Sequence, residues 1–510
     1  MKILLALTLV SILGLTACAG SQVTENTTPV MDFSSDISGE ITVYTFDSMM
    51  IGPFLEEAAR LFMYQNPDTV VNVESFSSMP AVRRAEGAGG TSIMVSGDGG
   101  NRSQERRDYI NMVNTELMGG RGPDILALDV LPFHEYARIG QLADLRQFMD
   151  ADPSFNINDY RVNIFDALTD EDGRQFIFPV DYAFRYAAYD SSLLTGNQLA
   201  LLEGGGTFSF ESLIEIGQMA EIDEHLFGMD VGPERGLFQE IFAQNYSKFI
   251  DIENRQANFN DGAFVDLLNR LVALEERGYI PPRTGTLDRD TIMSPDIIQQ
   301  LMNERFAFKP RPSTLLLSEI QRQAGQQRAV MMVSGTSGLG NSEDDRVAGL
   351  MANDRGEIPF TVSNGLGINS NSQNQQLAWE FIKFVSSEAV TQSMRMQGLP
   401  THIGAFEERA ALSITGELFA SAIQEGGTFR VGDIPEGLVR EEMDATDLQV
   451  LADYIELVEY FTNQLNTFFT TDAIIEEIVM TEVEEFFNGS RTAEDIAQTL
   501  QSRINLVLNE

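Results

Sequence analysis

The residues able to do chemistry are acids and aromatics at the ends of extended segments. Ile41 to Phe46 alternates apolar and polar residues as a strand does, and Tyr44, Phe46 and Asp47 close it. Asp124 to Asp129 is another such segment, with Phe133 just beyond. Carboxylates there can accept hydrogen bonds from hydroxyls or meet a cation, and the rings can cover an apolar ligand face. Catalytic signatures fare worse. His134, His225 and His402 are too scattered for an HExxH zinc site, and no G-x-S-x-G nucleophile elbow occurs. Asp170-x-Asp172-Gly173 lacks most ligands of an EF-hand loop. The glycine-rich run from Ala85 to Ser103 has no Gly-Lys-Ser/Thr ending, so it reads as a flexible insertion rather than a phosphate cradle. Arg83, Arg84, Arg102, Arg106 and Arg107 surround it as a local basic cluster. No metal and no cofactor are expected. Among 76 acids, carboxylate pairs suited to glycoside hydrolysis arise by chance, which keeps a glycoside hydrolase as an alternative.

Cys18 is the only cysteine, so no intrachain disulfide can form. It ends Leu15-Thr16-Ala17-Cys18, after Lys2 and an apolar run from Ile3 to Leu15 that is too short for a bilayer-spanning helix of about 20 residues. The pattern resembles a bacterial lipobox, whose cysteine is lipidated and becomes the new N-terminus. Each buried methylene contributes about 0.8 kcal/mol, so two or three acyl chains hold a protein on a membrane. Residues 1–18 are therefore expected to be a lipoprotein signal segment, and 19–39, rich in Ser, Thr, Gly and Asn, a tether. The expected location is extracytoplasmic, with a membrane anchor at Cys18.

These residues need a scaffold. The chain has 510 residues, and single cores stop growing near roughly 250–300, so more than one lobe is expected. The formal charge of −42 argues against an open nucleic-acid surface. Pro53 opens a helix with Leu55, Ala58, Ala59 and Phe62 on one face, and Asn66-Pro67-Asp68 stops it. A strand at 69–76, a helix at about 103–118, the strand at 124–129 and a helix at 131–139 follow. This βαβαβ order argues for a parallel, doubly wound α/β sheet with ligands at the carboxyl ends of its strands. That rule places Tyr44, Phe46, Asp47, Asp129 and Phe133 near a crevice. Ser372-x-x-Gln375 reads as a capping box, and Thr492 as the cap of the last helix.

Four stretches, in order, resemble the extracellular solute-binding proteins of ABC importers, of the maltose-binding type. They are the lipobox followed by GEITVYTFDS, then YINMVNTELMGGRGPDILALDVLPFHEYARIGQLADL, then QFIFPVDYAFRYAAYDSSLL, then VSNGLGINSNSQNQQLAWEFIKFVSSEAV with FFNGSRTAEDIAQTLQSRI at the end. The resemblance implies two α/β lobes with a ligand cleft between them, a periplasmic-binding-protein-like fold. It implies crossings at 178–182 and near 361–365, with 40–181 and 365–415 in one lobe and 182–364 and 416–510 in the other. It adds Asp181, Tyr182, Arg185, Lys309 and Arg311 to the ligand-binding candidates, with Tyr182 stacking on the ligand and the cations suited to an acidic sugar. It further implies a small-molecule solute, a carbohydrate above all, permease subunits as partners, a monomer, and no enzymatic activity. A surface lipoprotein that binds other proteins is the remaining alternative.

Overall fold

The computed structural model describes residues 33, 37–46, 51–77, 81–87, 90–96, 99–219, 225–227, 233–252, 254–280, 305–325, 342–393, 396, 398–415 and 443–509. Cys18, the tether up to 32 and Asp47 lie outside the described residues.

Two sheets organise the chain. In the first, Gly39–Thr45 runs parallel to Thr69–Ser75 on one side and to Ile125–Ala127 on the other. Ile41, Val43 and Thr45 point inward with period two, as half-buried strands require. The sheet then departs from the all-parallel expectation, because Gly365–Ile368 enters antiparallel to Ile125–Ala127, and Phe178–Pro179, antiparallel to it in turn, closes the sheet in the sense of the first three strands. Gly365–Ile368 arrives from the other sheet rather than through a crossover helix, so handedness does not force it parallel. Gly365 packs where a Cβ would meet Ile177 Cδ1 at 2.3 Å, which explains glycine at this close approach.

The second sheet is built around the long strand Asp181–Asp190. It pairs antiparallel with Phe306–Pro312, Asp345–Met351, Pro359–Thr361 and Leu399–Pro400. Its run of buried residues on both faces follows, since strands and helices cover it on each side. One core cluster packs the helices Pro233–Gln244, Ala263–Glu276, Ala473–Phe487 and Ala493–Asn509 against it. Another packs Ile403–Thr415 and Ala445–Thr462 around Tyr182 and Phe184.

Local signals behave unevenly. The helix Ile51–Gln65 stops at Asn66-Pro67 as expected, and Asp495 N donates to Thr492 Oγ1 at 3.2 Å at the head of the last helix. The capping box at Ser372 does not form. The helix begins at Gln375, and Ser372 Oγ instead donates to Asp124 at 2.5 Å and accepts from Asn374 N at 3.0 Å. The glycine-rich insertion is a hairpin rather than a loop over its described part, with Ala81–Gly87 paired to Gly90–Ser96. Val82, Ile93 and Val95 are β-formers, and the ladder ends at the Gly87–Gly90 pair.

Candidate functional site

The chain passes between the sheets twice within a few residues. Phe178–Pro179 belongs to the first sheet and Asp181–Asp190 to the second; Pro359–Thr361 belongs to the second and Gly365–Ile368 to the first. Asp181 ties these passages together. Its Oδ1 accepts from Ser363 N at 3.1 Å and Asn364 N at 2.9 Å, and its Oδ2 from Asn364 Nδ2 at 2.5 Å and Gly398 N at 3.0 Å. Burial pushes this carboxyl above its ordinary range against those hydrogen bonds.

Beside the passages, the second-sheet side holds a cavity of about 300 Å³. The strand Asp181–Asp190 supplies Phe184 and Arg185, Pro359–Thr361 supplies Phe360, and the segment after Thr467–Phe468 supplies Phe469, Thr471 and Glu476. The helix Pro233–Gln244 presents Gln239, Glu240 and, one turn beyond Glu240, Gln244 to the same space. Arg185 forms an ion pair with Glu240. Glu476 accepts from Gln239 Nε2 at 2.9 Å and from Thr471 Oγ1 at 3.0 Å. Asp472 caps the helix Ala473–Phe487 through Ile474 N at 2.8 Å and Ile475 N at 3.0 Å, which fixes Glu476 on its first turn.

The first sheet contributes an aromatic group at its strand ends. The ring of Tyr44 meets Phe76 edge-on at 4.9 Å, Phe76 packs on Tyr109 at 5.1 Å, and Tyr109 packs on Phe46 at 5.6 Å. Burial pushes the half-buried Tyr44 phenol up to about 12, helped by Glu116 and Glu74, so it stays a neutral donor at physiological pH. Asp129 is exposed beside this group, and its charge adds to the burial that raises Tyr109. The two sides touch at this junction. Phe133 lies 6.0 Å from Phe468, Arg107 reaches Glu477 at 3.2 Å, and Arg255 reaches Glu135 at 3.2 Å.

A separate cavity of about 320 Å³ lies among Gln65, Asn156, Asp159, Lys383, Glu388 and His402. It is away from the strand ends, and several of its polar groups already bond one another, as Gln65 to Glu388 at 2.8 Å and Asn156 to Asp159 at 3.0 Å. The junction cavity is the better candidate, because it collects rings, charges and a free amide where the chain passes between sheets.

The family model for bacterial extracellular solute-binding proteins matches residues 51–392. This chain belongs to that family. Its fold is shared with solved structures at low identity. The sugar-binding protein MalE from Xanthomonas citri aligns with TM-score 0.52 and 14% identity, over 92% of this chain and 98% of that one. An ABC substrate-binding protein from Listeria monocytogenes in complex with cycloalternan aligns at 0.50 and 17%, over 93% and 100%. A family 1 extracellular solute-binding protein from Alicyclobacillus acidocaldarius aligns at 0.50 and 15%, over 93% and 100%. No curated protein matches the chain. The architecture is the two-lobed, mixed α/β fold of periplasmic binding proteins, and the two sheets are the cores of its lobes.

Within this solute-binding protein the expected site residues divide. Arg185 lines the cavity, and Tyr44, Asp129 and Phe133 stand on the first-sheet side of the junction. Phe46 is 1% exposed and packs in the first-sheet core, so it supports the wall rather than forming it. Tyr182 is corrected more sharply. It is wholly buried among Phe184, Phe406 and Tyr454, and its hydroxyl shares a hydrogen bond with Thr462 at 2.7 Å. Side chains alternate across a strand, so Ala183 and Arg185 face the cavity while Tyr182 faces the core. Asp181 is likewise buried and fully engaged by backbone and Asn364. Lys309 and Arg311 are also not walls of the cleft. Lys309 pairs with Asp345, whose other oxygen lies 3.2 Å from Arg322 and 3.7 Å from Arg311, while Arg311 also faces Glu319 at 3.4 Å. The cations assigned to an acidic ligand are thus neutralised within the protein. Sequence reasoning missed Gln239, Glu240, Gln244, Phe360, Phe469, Thr471 and Glu476. The only available signal was the expected crossing near 361, which brings Phe360 beside Phe184 through strand pairing.

Among the described residues no helix is long and apolar enough to cross a membrane. Among them, no group of three or more His, Cys, Asp and Glu is placed to hold a metal ion.

Proposed function

We propose that this protein is the sugar-binding component of an ABC importer, capturing a saccharide between its lobes and delivering it to permease subunits. The junction cavity carries this reading. Phe469 gives a ring for the C–H face of a sugar, with Phe184 and Phe360 buried behind the cavity, and Gln239, Gln244, Thr471 and Glu476 give donors and acceptors for its hydroxyls. Cycloalternan, bound to one solved structure of the same fold, and the sugar-binding name of another support the same class.

On this reading the lobe boundaries fall at Val180 and at residues 362–364, and ligand contacts come from both sides of the junction, including Tyr44, Asp129, Phe133 and Arg185. Asp47, next after Phe46 in the sequence, joins them. Lipidation of Cys18 would hold the protein on the outer membrane face, where it would act as a monomer. Thermal-shift screening of neutral and acidic mono- and oligosaccharides tests the function, since a ligand at a hundred times its Kd adds about 2.7 kcal/mol of stability. A screen in which no saccharide raises the melting temperature counts against sugar binding. Cys18→Ser tests the anchor by partition into detergent.

A further inference from the structure

We propose that Gln244 reads the ligand in the junction cavity, and that the ligand is uncharged there and presents neighbouring hydroxyl groups. This rests on the sugar-binding reading and narrows it. Gln244 is 6% exposed, lines the cavity, and has neither Nε2 nor Oε1 hydrogen-bonded to any described residue. A buried amide with both ends unpaired lowers folding stability, so a native one of this kind requires an explanation. The explanation with chemistry in its favour is a partner that arrives with the ligand. A carboxamide offers an acceptor and two donors side by side. Two adjacent hydroxyls match it: one donates to Oε1 while its neighbour accepts from Nε2.

The charges nearby decide against an acidic ligand. Arg185 is the cation on this wall, and Glu240, one helical turn before Gln244, already pairs with it. An incoming carboxylate would have to compete with Glu240 for Arg185 and would bring a second negative charge beside that acid, which is costly. Glu476, which also lines the cavity, adds negative charge, held by the neutral groups of Gln239 and Thr471. A polyol meets none of these penalties.

The experiment is calorimetry of the wild type and Gln244→Leu with maltose, maltotriose, tagatose and digalacturonate, alongside the melting temperature of each ligand-free protein. At least one neutral sugar should bind the wild type. Gln244→Leu should weaken that binding about 10- to 100-fold, as loss of a matched polar contact does. The ligand-free variant should melt at or above the wild type, because leucine removes a buried unpaired amide. Weaker binding together with a lowered melting temperature would make Gln244 a packing residue and overturn the assignment. Unchanged affinity for a neutral sugar that binds would overturn it while leaving the sugar-binding reading intact. Tighter binding of digalacturonate than of every neutral sugar would overturn the uncharged ligand. Failure of all four probes to bind would sink the sugar-binding reading itself, and this inference with it.

Discussion

Two charged groups in the second lobe look alike in sequence and differ in space. Around Asp345, which is fully buried, Lys309, Arg311 and Arg322 gather with Glu319 as a second acid. Around the junction cavity, Arg185 and Glu240 form a partly solvated pair with a free amide beside it. The first group is closed on itself, so its charges specify packing. The second keeps an open side, so its groups are available to a ligand. The lesson is that a cation on a cleft-forming strand is a candidate only if its own acids leave it uncovered.

The sharpest way to break this contrast is Asp345→Ala. It strands up to three cations in a buried setting, so a loss of about 3–5 kcal/mol is expected in urea denaturation. A loss below about 1 kcal/mol would mean the group is solvated and the contrast is false. Next comes Phe469→Ala at the cavity. Removing a ring that covers a ligand costs on the order of 2 kcal/mol of binding, roughly 30-fold, measured by calorimetry on a sugar identified by screening. Wild-type affinity would remove Phe469 from the wall.

A third test uses pH. Burial alone would raise the Asp190 carboxyl, but hydrogen bonds from Ser192 and Arg305 outweigh it and hold the group below the ordinary carboxylate range. A folded-state pKa below the unfolded one adds stability above about pH 4 that is lost as pH falls through the folded value. Denaturation midpoints of wild type and Asp190→Asn should therefore converge as pH drops below about 4. Parallel curves would show that Asp190 carries no such linkage. Smallest of all is Arg107→Gln. Its pair with Glu477 is well exposed, so stability should change by less than about 1 kcal/mol, and less again in high salt. A larger change would show that the lobe junction itself holds the fold together.

What the sequence could and could not reveal follows from the range of the forces involved. Period-two burial in Ile41, Val43 and Thr45, the stop at Asn66-Pro67 and the Thr492 cap are local, and they were legible. The ordered stretches around PDILALD and FPVDYAF made the fold legible as well. Tyr182 was assigned to the crevice because it sits at a crossing, yet strand alternation turns it to the core, and its phase is set by pairing with Leu399 and Phe360 on neighbouring strands. Lys309 and Arg311 failed for a similar reason. Their partner Asp345 is 36 residues from Lys309, and nothing local announces it. Gln244 was invisible, because a free amide is a property of what fails to surround it.

The sole tryptophan has a practical consequence. Trp379 is fully buried in the first lobe, packed on Phe148 and Phe178, with its Nε1 donating to Asp152 at 2.9 Å. Its fluorescence therefore reports on one lobe and is blind to the junction cavity. Titrating a sugar while watching tryptophan emission should give a flat trace even when binding is tight. The same optical isolation is useful in melting experiments, where emission follows the first lobe and circular dichroism follows both. If the two traces separate on heating, the lobes unfold one at a time, and the emission curve identifies which goes first.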